Sequence, residues 1–175
     1  MEKFKIIIDE AGKKIVAVPD IIFKNKQDID WKSVERYLLQ YVGEIIEISD
    51  TKDKVHLGNE LPDEYSGSKY TKNLKGARAK AKANAAQCIR EIVEIAEDKM
   101  YSENNKEKHS RNAGKGWYYY TTRFAIPIYD NEKKTEEYVI YSARIVVNHA
   151  RNGKMYLYDL VDIKKEASNP LKTNN

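Results

Sequence analysis

The C-terminal half of the chain carries side chains suited to metal-free acid–base chemistry on RNA. His109 lies in a polar stretch, and His149 stands just before an Asn-Gly turn. Cleaving RNA without a metal needs a base for the 2′-OH, an acid for the leaving 5′-oxygen and a cation for the phosphorane. Imidazole titrates near neutrality and serves either proton role. Arg123, Arg144 or Lys154 can carry the positive charge, and Tyr156 or Tyr158 can stack on a base or donate a proton. The candidates are therefore the two histidines, one of the three cations and one of the two tyrosines. Each also has a plain structural reading: a solvated loop histidine, a strand-ending histidine, an arginine paired with an acid, a tyrosine packed on a sheet. Spacing along the chain does not bring the four together.

A second chemical signal is charge. Between Tyr65 and Arg90 there are seven basic residues and no acid: Lys69, Lys72, Lys75, Arg78, Lys80, Lys82 and Arg90. Acids return at Glu91, Glu94, Glu97 and Asp98. Read as one helix, this order opposes the macrodipole, at about 0.3–1 kcal/mol for each misplaced charge near an end. A helix that tolerates it has a positive end available for an anion such as a phosphate backbone. Lys72, Lys75, Arg78, Lys82 and, from the Asn-Gly turn, Lys154 are the candidate nucleic-acid contacts. The alternative is a solvated, lysine-rich face on an alanine helix.

Composition sets the frame. The chain has 175 residues, 33% of them charged, a net charge of +4 and a pI of about 8.9, which suits an anionic partner without demanding one. The single cysteine, Cys88, precludes an internal disulfide and falls on an apolar helical stripe, as a small core residue would. The motifs expected of a metal site, a Gly-rich phosphate loop or a nucleophile elbow are missing from the sequence, so no cofactor or metal is expected. The N-terminal MEKFKIIIDE lacks a signal-peptide pattern and no run reaches membrane-spanning length, so a cytoplasmic protein without membrane contact is expected. Thirteen tyrosines against three phenylalanines suit either base stacking or a sheet with one wet face.

The elements follow from periodicity. Phe4–Ile8 and Lys14–Val18 form a hairpin ended by Pro19; Asp30 caps a helix over 31–42; Glu44–Ile48 and Lys54–Leu57 form a second hairpin. Residues 58–70 read as a breaker-rich connection, and a long helix is expected over 72–100 with a stripe from Leu74 to Ala96. A loop over 101–116 leads to strands at 117–129, 137–149 and 155–163, the last two joined by a tight Asn152-Gly153 turn. The expected fold is α+β: a small ββαββ unit over 1–60, a long helix packed on an antiparallel sheet (αβββ) over 61–166, and a polar tail over 167–175.

The run PDEYSGSKYTKNLKGARAKAKANAAQCIREIVEIA, then ENNKEKH, GWYYYTTRFAIPIYD and HARNGKMYLYDLVDIKKE, resembles the third type of large polyvalent protein-associated domain. Such domains occur in long proteins of phages and conjugative elements and as freestanding units. The resemblance covers roughly the last two-thirds of the chain and leaves residues 1–60 without a functional account. The helix-then-sheet order also resembles the nuclease fold shared by barnase, EndoU, colicin-type tRNases and RelE, which cleave RNA without a metal from a small antiparallel sheet. That resemblance puts His109, Arg144, His149 and Tyr158 forward, and implies RNA or another polyanion as partner and a cognate protein inhibitor. The expectation is an RNase-like or RNA-binding domain of a mobile genetic element. The alternative is a non-enzymatic interaction module whose basic helix docks on an acidic partner.

Overall fold

The computed structural model describes residues 5–24, 28–102, 116–166 and 171–172. The strands are β1 (Lys5–Ile8), β2 (Lys14–Ala17), β3 (Ile45–Glu47), β4 (Lys54–His56), β5 (Glu97–Ser102), β6 (Trp117–Asp130), β7 (Lys133–His149), β8 (Met155–Lys165) and β9 (Leu171–Lys172). The helices are α1 (Trp31–Leu38), α2 (Leu61–Gly67), α3 (Lys69–Asn73), α4 (Gly76–Ala85) and α5 (Ile89–Glu94). The fold is α+β. His109, the 103–115 segment and most of the tail lie outside the described residues.

Aromatic and β-branched residues make β6 and β7 the longest strands, and with β8 they form an antiparallel meander. The two N-terminal hairpins extend this meander. β2 joins β6 in parallel through Val16–Phe124 and Ala17–Ala125, and β4 joins β8 in parallel through Val55–Met155 and His56–Tyr156. The strand order is β1-β2-β6-β7-β8-β4-β3, with β5 also on β6 and β9 on β7. The sheet is thus mixed, where an antiparallel one was expected. Residues from the first sixty share its core: Val16, Val34, Leu38 and Val55 pack in one cluster with Ile92, Phe124, Ile145 and Leu160. The described part of 1–60 shares its sheet and core with 61–166.

The turns explain the strand lengths. β6 and β7 meet across Asn131-Glu132, both with positive φ (49° and 66°), the pattern of a two-residue type I′ turn made without glycine. The Asn152-Gly153 turn joins β7 to β8 as expected, but with a three-residue loop. Ala150 N–H donates to the Lys154 carbonyl at 2.9 Å, and Gly153 alone takes positive φ, at 87°.

The 72–100 segment departs most from expectation. Lys75 is extended and Gly76 has φ of 63°, so the chain breaks between α3 and α4. An Ala86–Cys88 3-10 turn separates α4 from α5, and residues 97–102 form strand β5. The expected 58–70 connection contains α2, started by a proline in its first turn. α4 is buried on most sides, with Ala79, Ala81, Ala83 and Ala85 all inside. Small side chains permit this, because the helix lies between the sheet and the 20–23 segment. Asn84 grips that segment: its Oδ1 accepts from Ile22 N at 2.8 Å and its Nδ2 donates to the Phe23 carbonyl at 3.1 Å. Cys88 is fully buried and its thiol pKa is pushed well up by burial, so it is a core residue. Among the described residues, no helix is long and apolar enough to cross a membrane.

Within α4, Lys82 is fully buried. Its ammonium donates to Asp159 Oδ1 at 2.5 Å and Thr71 Oγ1 at 2.7 Å, and lies 4.7 Å from the Tyr65 ring centre. Asp159 Oδ2 accepts from Ser68 Oγ at 2.7 Å, and its Oδ1 from Leu160 N at 2.8 Å. Burial pushes Lys82 down and Asp159 up, toward their neutral forms, while the mutual contact pulls each back. Removing one partner strands the other, which costs about 3–5 kcal/mol for a buried pair. Lys82→Met and Asp159→Asn should each lose stability on that scale in urea denaturation, and the double variant should recover much of the loss. Single-variant losses no larger than about 1 kcal/mol, the scale of an exposed pair, would contradict this role.

Candidate nucleic-acid interface

The break between α3 and α4 places Lys69, Lys72, Lys75 and Arg78 on one exposed turn. α3 is held from below. Its N-cap Ser68 reaches Asp159, and Tyr70 Oη accepts from Ile163 N at 2.7 Å. α4 begins at Gly76 with no side-chain cap and no acid in its first turn. None of the four cations makes a salt bridge within the described residues. Lys154 is exposed on the β7–β8 turn, where its charge and, more strongly, burial lower the pKa of His56. Lys82 corrects the expected contact set. It lies in the core against Asp159 and presents nothing to a ligand.

The candidate catalytic residues that are described, Arg144, His149 and Tyr158, divide between the two faces of the sheet. Along β6, Tyr120 and Phe124 pack into the helix-side core, and Thr122 Oγ1 donates to the Ile92 carbonyl at 2.8 Å. Trp117, Tyr119 and Arg123 point to the other face. Arg144 shares that face, its guanidinium 4.7 Å from the Tyr119 ring centre and its Nε donating to Asp162 Oδ2 at 2.6 Å. Asp162 reaches it from an irregular, positive-φ position (54°) in β8. Tyr158 lies there too, edge-on to Trp117 at 4.8 Å, with its hydroxyl donating to Glu64. Burial, then that bond, raises its pKa well above the usual tyrosine value, so it stays protonated. His149 turns to the opposite side of the strand. Its ring is 5.9 Å from Tyr118, and its Nε2 is 3.2 Å from the Gly153 carbonyl. Arg144 and Tyr158 thus share a face that His149 does not.

Arg123, the other cation considered for the phosphorane, is also engaged. Its Nη1 donates to Asp9 Oδ2 at 2.6 Å, and its Nε and Nη2 grip Glu166 at 3.0 and 2.8 Å. A cavity of about 530 Å³ opens in the gap between β5 and β2 along β6, and its Lys13 and Glu97 pair at 2.9 Å. A second cavity, of about 280 Å³, lies between α2 and the β7–β8 hairpin, lined by Glu60, Glu64, Asn148, Tyr156 and Tyr158 among others. Of these, only the tyrosines stood out by residue type. The four-residue spacing of Glu60 and Glu64 was the available signal, since it sets both carboxylates on one side of a helix start. Among the described residues, no group of three or more His, Cys, Asp or Glu side chains is placed to hold a metal. No known family model, curated protein or solved structure matches the chain.

The Asp9–Arg123 clasp sets a pH dependence. The Arg123 hydrogen bond, then the Lys13 N–H, hold the Asp9 carboxyl below its ordinary value of 3.8. A depressed carboxyl pKa contributes stability above the unfolded value and loses it as pH falls through the folded value. Asp9→Asn should therefore lower the urea midpoint at neutral pH, with the difference from wild type closing as pH drops below 3.8. A difference that persists unchanged through acid would show that the ionised clasp contributes nothing.

Proposed function

We propose that this chain is a non-enzymatic nucleic-acid-binding module of a mobile-element protein, docking the α3–α4 turn on a phosphate backbone. The observation that carries this reading is a contrast among the cations. Arg123, Arg144 and Lys82 are each neutralised by a carboxylate, whereas Lys69, Lys72, Lys75 and Arg78 are exposed and unpaired within the described residues. Phosphate contacts need solvent-facing charge that releases counterions, and a phosphorane needs an uncommitted cation beside a proton donor and a base. The first condition is supported at the turn. The second finds no such support on the sheet, where His149 and Arg144 point apart. The likeness to the large polyvalent protein-associated domains supports the phage or conjugative setting, and a binding role suits a module carried within long proteins.

The test is salt-dependent binding to single-stranded RNA. Substituting Lys72, Lys75 and Arg78 together with Gln should weaken binding and flatten the plot of log K against log salt by about 0.7 per lost contact. All three side chains are exposed, so thermal stability should hold. An unchanged slope with measurable binding would remove the turn from the interface. Cleavage of the RNA in the presence of chelator would replace the binding role with an enzymatic one.

A further inference from the structure

We propose that the cavity between α2 and the β7–β8 hairpin binds an organic cation, taking one alkylammonium or guanidinium group. This goes beyond the nucleic-acid reading, since the cavity has the opposite charge to the α3–α4 turn. One wall is the start of α2, where Glu60 and Glu64 stand one turn apart. The other wall is Asn148 from β7 and Tyr156 and Tyr158 from β8. A bulge positions Tyr158: the β7–β8 register slips between Val146–Asp159 and Val147–Leu157, leaving Tyr158 without a residue opposite it. Its hydroxyl donates to Glu64, and Glu60 acts on the same hydroxyl through space. No lining residue is a cation. Neither carboxylate forms a salt bridge within the described residues, although Glu64 acts through space on the buried Lys82.

The second, independent observation is Asn148. It lines the cavity at 5% exposure, and its Oδ1 is buried without a hydrogen-bond partner. Buried acceptors are nearly always bonded, so this one, behind the cavity wall, would gain a partner if a bound donor drew the amide toward it. Two carboxylates, an amide oxygen and the rings of two tyrosines suit an N–H-bearing cation that can also rest against a π face. Leu61, Ala150 and Leu157 supply apolar wall for an aliphatic stem. A volume of about 280 Å³ lies at the low end for ligand pockets and fits one basic side chain or a short amine. A bare metal ion is a poorer fit, because the cavity offers two carboxylates and no third His, Cys, Asp or Glu.

The test is titration of the full chain followed by amide NMR shifts. The probes are putrescine and agmatine for free amines, and the N-acetyl methylamides of lysine and arginine for side chains of a partner protein. The uncharged norleucine analogue is the control. Saturable shifts on Glu60, Glu64, Asn148 and Tyr158 are expected for the cations and not for norleucine. Tighter binding of the free amines would assign a small-molecule ligand; tighter binding of the blocked amino acids would assign a protein side chain. Glu64→Gln should weaken binding about tenfold or more, the scale of one charge-assisted hydrogen bond. Glu60 is exposed, so Glu60→Gln keeps the test valid if Glu64→Gln fails to fold. Equal binding of norleucine, no saturable shift with any cation, or full affinity in every folded Glu→Gln variant would overturn the proposal.

Discussion

The buried Lys82–Asp159 pair is the interaction on which the arrangement of the helices depends. Lys82 comes from the middle of α4 and Asp159 from the middle of β8, 77 residues later. The same carboxylate takes Ser68 at the start of α3, and the same ammonium takes Thr71 inside α3. One ion pair therefore fixes two helices to one strand. Tyr65 of α2 closes the set by donating its hydroxyl to the Lys82 carbonyl at 2.5 Å. A buried pair is seldom worth more than well-packed hydrocarbon of the same size. Its value here is directional: an apolar contact would allow α3 and α4 to slide on the sheet, whereas this network has one satisfied geometry. That geometry points Lys69, Lys72, Lys75 and Arg78 to solvent on the outer side of the turn.

The same physics separates charge across the molecule. Cations on the open sheet face are clasped by acids that the backbone brings to them, Arg144 by Asp162 at a positive-φ position and Arg123 by Asp9 and Glu166 from two other segments. These contacts hold down strands and loops, and they remove the positive charge a phosphorane would need. Among the described residues, four cations without salt bridges lie together at the α3–α4 turn, and two carboxylates without salt bridges line the α2 cavity. The proposed binding role rests on the exposed cations of the turn.

Local signals in the sequence were readable where the cause was local. The Asp30 cap appears as drawn, with its side chain accepting from Ser33 N, and both N-terminal hairpins form. The Asn152-Gly153 turn forms too. What the sequence hid depended on distant partners. Lys82 sits in a run of lysines and looks like the rest, and only Asp159 makes its burial possible. The alanines of α4 suggest one stripe, yet the helix is enclosed because the 20–23 segment covers its outer side through Asn84. The parallel pairing of β2 with β6 and of β4 with β8 has no local mark, so the first sixty residues looked like a unit of their own. The Asn131-Glu132 turn lacked the glycine that usually announces such a bend. Glu64 from α2 and Asn148 from β7 line one cavity, beside a Tyr158 placed by a bulge in β8.

The central claim is that nucleic acid meets this protein at the α3–α4 turn and not on the sheet. Amide hydrogen exchange with and without saturating single-stranded RNA locates the contact directly. The account predicts new protection across residues 68–80 and little change in 117–123 and 142–149. Protection concentrated on the sheet strands around Trp117, Arg144 and His149, with residues 68–80 unchanged, would contradict it.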